Sequence, residues 1–175
     1  MAKIIIIYST TDGHTLEICR HLQRVIEKQN NQVILTPIDD DTQIELKPFD
    51  KIVIGASIRY GKHRPKVYEF IKSNLQILES RPCAFFSVSV VARKPDKNTP
   101  QTNPYLLKFL KRSPWKPTRL AVFAGKIHYQ IYNFWDRSII RLIMWITNGP
   151  TDPETNIVFT DWRQVDVFGR EICEM

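Results

Sequence analysis

Apolar runs that stop abruptly at polar residues recur along this chain and give its plan. Lys3-Ile4-Ile5-Ile6-Ile7-Tyr8 is a β-branched block, too short for a helix of its own, and reads as a buried strand. It empties into Ser9-Thr10-Thr11-Asp12-Gly13-His14-Thr15, after which Leu16, Ile18, Leu22, Val25 and Ile26 fall near helical spacing. Residues 32–36 read as a second strand and 51–55 as a third, followed by an amphipathic helix over 67–78. Residues 84–91 and 120–124 read as strands four and five. A strand resumes at 157–160 after an interruption, and a last helix runs from Trp162 to about Cys173. Strands alternating with helices predict a parallel sheet covered on both faces. The expectation is one α/β domain over 1–175, a doubly wound five-stranded parallel sheet in the order 2-1-3-4-5, with a long insertion, roughly 126–153, after strand five.

A strand, a hydroxyl-rich turn and a helix start together make an anion site. Free backbone N–H groups, the positive end of the helix dipole and Ser/Thr hydroxyls converge there. The Walker spacing GxxxxGK[ST] is absent, and the single glycine excludes the three-glycine dinucleotide fingerprint. Hydroxyls suit a terminal phosphate that the backbone need not crowd, so a phosphate monoester fits best. The alternative is a capped helix, with Thr11 or Asp12 accepting from the backbone and nothing bound. A carboxylate facing a phosphate dianion would be repelled, so Asp12 is expected to cap the helix or point away, while His14 offers a donor. The run Asp39-Asp40-Asp41 reads as a solvated turn.

The loop resembles that of the flavodoxins, whose ligand is FMN, and this resemblance makes Ser9 through Thr15 the expected phosphate contacts. In such a fold the ligand lies at the carboxyl ends of the strands. Ser57, Ile58, Arg59 and Tyr60, after strand three, could then form one wall of an isoalloxazine slot, or else a turn with Tyr60 packed beneath it. Ser87, Val88, Ser89, Val90, Val91 and Ala92, around the end of strand four, would let the backbone run close to the ring. Arg93 and Lys94 then open a loop punctuated by prolines that brackets one short helix; such long loops are more often functional than idle.

The insertion has its own pattern. Asn133, Arg137 and Arg141 lie four apart and give a polar stripe, while Trp135, Ile139, Leu142 and Ile146 cover the opposite side, widened by Ile140, Ile143 and Met144. Such a helix suits a membrane interface or a greasy substrate, and equally an ordinary packed helix or a dimer contact. Tyr132, Trp135, Ile139, Leu142 and Ile143 are the expected membrane or quinone contacts. A formal charge of +7 and a pI of about 9.4 fit anionic lipid, nucleic acid or acidic small molecules, without choosing among them. Three widely spaced cysteines without a CxxC or metal spacing read as free thiols in a reducing compartment. The start of the chain is too short in apolar residues for a signal peptide, and no stretch approaches the roughly 20 apolar residues of a membrane span. These features predict a cytoplasmic chain attached at most to the membrane surface.

Taken together, the phosphate loop, Val53 through Gly61, Val91-Ala92-Arg93-Lys94-Pro95 continuing to Asn103, Tyr132 through Arg137 with Leu142-Ile143-Met144, and Thr160-Asp161-Trp162 closely resemble the menaquinone-dependent protoporphyrinogen IX dehydrogenases over essentially the whole chain. The resemblance implies an FMN enzyme of haem biosynthesis, peripheral on the cytoplasmic face of the inner (cell) membrane. It would oxidise protoporphyrinogen IX to protoporphyrin IX in three two-electron steps and pass electrons to menaquinone or another respiratory quinone. The chemistry would be the cofactor's, so no side chain is assigned as acid or base and no metal is expected. Arg59, Arg93 and Lys94 are the expected partners of the substrate's propionates, with Lys62 and Arg64 nearby. The competing readings are an NAD(P)H:quinone oxidoreductase and a flavodoxin-type electron carrier; nucleic-acid binding carries no recognised motif.

Overall fold

The structure is a computed structural model and describes residues 1–39 and 43–175; Asp40 and Asp41 of the expected solvated turn lie outside the described residues. Strands β1 (Lys3–Ser9), β2 (Gln32–Pro37), β3 (Lys51–Ser57), β4 (Cys83–Ser89) and β5 (Arg119–Ala124) form one parallel sheet in the order β2-β1-β3-β4-β5. The isoleucine run works because both sheet faces are buried. Ile5 and Ile7 join Ile52, Ile54 and Phe85 on one face, and Ile4 and Ile6 join Val53, Ala84 and Phe86 on the other.

The first face is covered by α2 (Pro65–Ser73) and α4 (Pro104–Arg112), through Val67, Ile71, Leu106 and Phe109. The second is covered by α1 (His14–Glu27) and α6 (Trp162–Glu174), through Ile18, Leu22, Val165 and Phe168. A buried Lys51 at the start of β3 donates to the carbonyls of Ile172 (3.1 Å) and Cys173 (2.6 Å), a cation placed at the negative end of α6. Cys19 and Cys83 are buried free thiols, pushed up by burial, and Cys173 is a half-buried one, as core packing predicts.

Three expectations are corrected. The helix over 67–78 is broken into α2 and α3 (Leu75–Glu79) at Asn74, whose side-chain amide donates to the Phe70 carbonyl at 2.8 Å. Strand four stops at Ser89, and Val90 and Val91 lie in a 3₁₀ turn. Val88 and Ser89 are paired with the last residues of β3 and β5, so no neighbour is left to extend the ladder. The strand expected to resume at 157–160 does not rejoin the sheet. Instead β7 (Asn156–Val158) runs antiparallel to β6 (Lys126–His128) in a separate two-stranded stem, from which α5 (Phe134–Ile146) emerges.

Gly55 in β3 packs directly against the ring of Phe86, which a Cβ there would overlap. Gly55→Ala is expected to cost about 1–3 kcal/mol, read as a lower urea midpoint at unchanged slope. An unshifted midpoint would show that the ring has room to move.

Candidate functional site

The carboxyl ends of β1, β3, β4 and β5 converge on two connected openings. The smaller is a polar recess of about 50 Å³ whose walls include Thr10, Thr11, Thr15, Ser57, Ser89 and Lys126. Gly13, at φ +81°, caps α1 by its backbone alone and donates its N–H to the Thr10 hydroxyl at 3.0 Å. The first-turn N–H groups of α1 therefore remain open to an anion. The hydroxyls of Thr15 and Ser89 are buried without a hydrogen-bond partner, a costly state that a ligand's oxygens would relieve. Hydroxyls and amides with no crowding glycine pair are the donor set that a phosphate monoester requires.

Of the expected loop contacts, Asp12 does not cap the helix. It lines the recess, but its carboxylate pairs with Arg59 Nη1 at 3.2 Å, which offsets part of the repulsion a phosphate would meet. Burial raises its carboxyl above the usual range, with Arg59 working against the shift. His14 borders the recess but offers no free ring donor: Nδ1 donates to Glu17 at 2.8 Å and Nε2 sits 2.6 Å from the Thr160 hydroxyl. Ser9, Gly13, Ser87 and Ala92 lie behind the walls. The Ser9 carbonyl accepts from Ser57, the Ser87 hydroxyl pairs with His63 Nε2, and Ala92 joins the core.

The larger opening is a cavity of about 180 Å³ bounded by Ile58, Tyr60, Val90, Val91 and Tyr105, and roofed by Ile140, Ile143 and Met144 of α5. Tyr60 (φ +50°) and Gly61 (φ +73°) form a two-residue turn closed by paired bonds between Arg59 and Lys62, with both residues at the positive φ that a type I′ turn requires. Tyr60 is thus held up beside the cavity instead of packing beneath it, and its hydroxyl donates to Asp136 on α5. The Arg59 guanidinium joins Asp12 to that same Asp136 and lies over the rings of Tyr60 and Tyr132 at 5.3 and 5.5 Å. Arg93 lines the cavity and ties the far end of α5, through the Thr147 carbonyl and hydroxyl at 3.2 and 3.1 Å, to the turn after β4, where it donates to the Val90 carbonyl. Lys94 reaches neither opening.

Helix α5 buries only a narrow apolar strip, Met144 and Ile140, which packs with Tyr129 and Tyr132. Beside it Arg137 donates to the carbonyls of Tyr129 and Tyr132, and the exposed Arg141 to that of Thr151, so both arginines of the polar stripe bond back to the protein. Asn133 precedes the helix and caps it through the Asp136 N–H. Outward stand Phe134, Trp135 and Trp145, the last two 74% and 72% exposed, with Leu142, Ile146, Ile139 and Ile143. Tyr132 departs from that set: it is 7% exposed, lines the cavity under the helix, and burial pushes its phenol up to about 12. Lys126, Tyr105 and Thr147 were not anticipated. Lys126 follows the carboxyl end of strand five, so the rule that nominated the loops after strands three and four also pointed to it.

A flavodoxin domain family matches residues 5–154. The protoporphyrinogen IX dehydrogenase (quinone) of Escherichia coli K12 is 43% identical over 173 residues, covering 99% of this chain and 96% of that protein. The chain belongs to the protoporphyrinogen IX dehydrogenase (quinone) family. A relative of the same name in Leishmania major is 40% identical over 99% of this chain and 75% of its own length. Oxidised flavodoxin 1 from Bacillus cereus shares the fold at a TM-score of 0.55 and 16% identity, over 99% of this chain and 98% of that one.

Behind the cavity of this dehydrogenase-family chain, His63 is buried edge-on to Phe85 and Phe109, with Nε2 3.0 Å from the Ser87 hydroxyl. Burial lowers its pKa from 6.5 to about 4, so the folded protein carries it neutral. Between those values the unfolded chain binds the extra proton. The stability is therefore fully present above about pH 6.5 and is lost as the pH falls toward 4. By pH 5 the loss from this residue is on the order of 2 kcal/mol. His14 shifts in the same direction. His63→Gln should flatten part of the decline in urea-denaturation stability between pH 7 and 5; an unchanged decline would clear His63 as its source.

Proposed function

We propose that this chain binds FMN across the two openings, oxidises protoporphyrinogen IX to protoporphyrin IX in three two-electron steps, and passes the electrons to a quinone, menaquinone among them. The observation that carries the reading is the junction of the recess, with its unsatisfied Thr15 and Ser89 hydroxyls, and an apolar cavity roofed by α5. The α1 amides with Thr10, Thr15 and Ser89 would hold the phosphate, and Ile58, Tyr60, Val90 and Val91 would flank the ring. When bound, FMN supplies a two-electron acceptor that a quinone can discharge.

The side chains supply placement and exclusion of water. Ile140, Ile143 and Met144 close the cavity from above, which suits an apolar macrocycle and a quinone. Arg93 is charged, and its partners are neutral carbonyls and a hydroxyl, so it retains the capacity to orient a propionate. Arg59 is already matched by two carboxylates, so its role shifts from substrate contact to holding the roof. The outward apolar face of α5, on a chain of net charge +7, supports peripheral contact with the inner face of an anionic membrane. Among the described residues, no helix is long and apolar enough to cross a membrane.

FMN-loaded protein given protoporphyrinogen IX without oxygen should develop porphyrin fluorescence only when a menaquinone analogue is also present. No growth above the spontaneous rate, together with rapid bleaching of the flavin by NADPH, would replace this reading with a quinone reductase. Arg93→Gln should raise KM for the porphyrinogen while FMN content stays intact, and an unchanged KM would remove Arg93 from the substrate site. Trp135→Ser with Trp145→Ser should weaken binding to anionic vesicles roughly tenfold or more without lowering Tm, since both side chains are mostly exposed. Equal sedimentation with vesicles would show that α5 is not the contact.

A further inference from the structure

Lys126 begins β6, directly after Gly125 at the carboxyl end of β5. Its backbone is fixed on two sides, since Lys126 pairs with Val158 across the stem and the neighbouring Gly125 carbonyl accepts from the Phe159 N–H at 3.0 Å. The side chain, 23% exposed, lines both the polar recess and the larger cavity. Nζ stands 3.7 Å from Glu17 Oε1 in the first turn of α1, within ion-pair reach and beyond a good hydrogen bond. The other Glu17 oxygen, Oε2, is already occupied by the His14 ring at 2.8 Å. Lys126 is thus a partly shielded cation, loosely held, at the edge of a pocket built for an anion.

The charges of the recess leave a role for it. A phosphate monoester brings about −1.5 to −2 charges at neutral pH, and the amino end of a helix answers with only about +0.5. Of the other cations by the loop, Arg59 is matched by Asp12 and Asp136, and Arg64 donates to the Thr10 carbonyl from the solvent side without lining the recess. Hydroxyls such as Thr15 and Ser89 satisfy oxygens without neutralising them. We infer that Lys126 is the counter-charge of the FMN phosphate, kept in position by Glu17 and drawn toward the recess when the phosphate is bound. The flexible four-carbon stem of lysine permits that exchange of partners. The inference rests on the FMN reading and adds to it a residue outside the hydroxyl loop. It also makes affinity depend on the phosphate and on salt.

The full chain, stripped of flavin, can be titrated with FMN and with riboflavin, which lacks the phosphate, by following the quenching of flavin fluorescence. Lys126→Met should weaken FMN binding roughly tenfold to a hundredfold and leave riboflavin binding within about twofold. It should also reduce the salt dependence of FMN binding, and Lys126→Arg should restore most of the affinity. Equal losses for both flavins would overturn the proposal and make Lys126 a support of the stem or ring, and no loss for either would overturn it by removing Lys126 from the flavin site. Failure of the underlying reading is distinct: a wild-type chain that binds neither flavin, or both equally well, removes the phosphate site and the Lys126 assignment with it.

Discussion

The Arg59 guanidinium is the point at which the parts of this site become one. One edge meets Asp12 in the loop after β1, the other meets Asp136 in the first turn of α5, and its face lies against Tyr60 and Tyr132. At 19% side-chain exposure the cluster is only partly open to water, so its charges are weakly screened. Without the guanidinium, the Asp12 and Asp136 carboxylates would face each other, and Asp136 already acts with burial to raise the Asp12 carboxyl. The loop after β1, the turn after β3 and the roof therefore hold or loosen together. The left-handed Tyr60 turn serves the same join, because it carries a second donor to Asp136.

The roof is built on an unusual division of labour. Its arginines hydrogen-bond the backbone carbonyls of the segments beneath it, which would otherwise need water, and Met144 and Ile140 pack beside them, while the wider part of its apolar side faces away from the protein. An ordinary amphipathic helix gains stability by burying that side in its own domain. Here Met144 and Ile140 realise only part of that gain within the chain, so a layer above the helix, as in the proposed membrane contact, would recover the rest.

Sheet and site differed in how far they could be read from the sequence. Ile4 through Ile7 announce a strand buried on both faces because every position is apolar, and the alternation with helices then leaves few topologies. The recess was legible for a similar reason: hydroxyls between a strand and a helix have a local meaning. Contacts set by distant partners were not legible. Arg59 and Asp136 lie 77 residues apart, and no spacing rule joins them. Periodicity identified the apolar side of α5 but could not tell which side faces out, because that depends on carbonyls at 129, 132 and 151. Val90 and Val91 have strand propensity, and they lost it to the absence of a neighbouring strand.

The stem formed by β6 and β7 brings the two ends of the insertion together, Phe159 bonding back to Gly125. Residues 126–158 thus span almost no distance at their base: the chain leaves the end of β5 and returns beside it before running on to α6. An appendage attached in this way can lengthen, shorten or change its outer face while the parent fold is inherited intact, because closing its base is a local matter. The roof is thus modular in construction, and the same doorway that admits it also carries Lys126 to the edge of the recess.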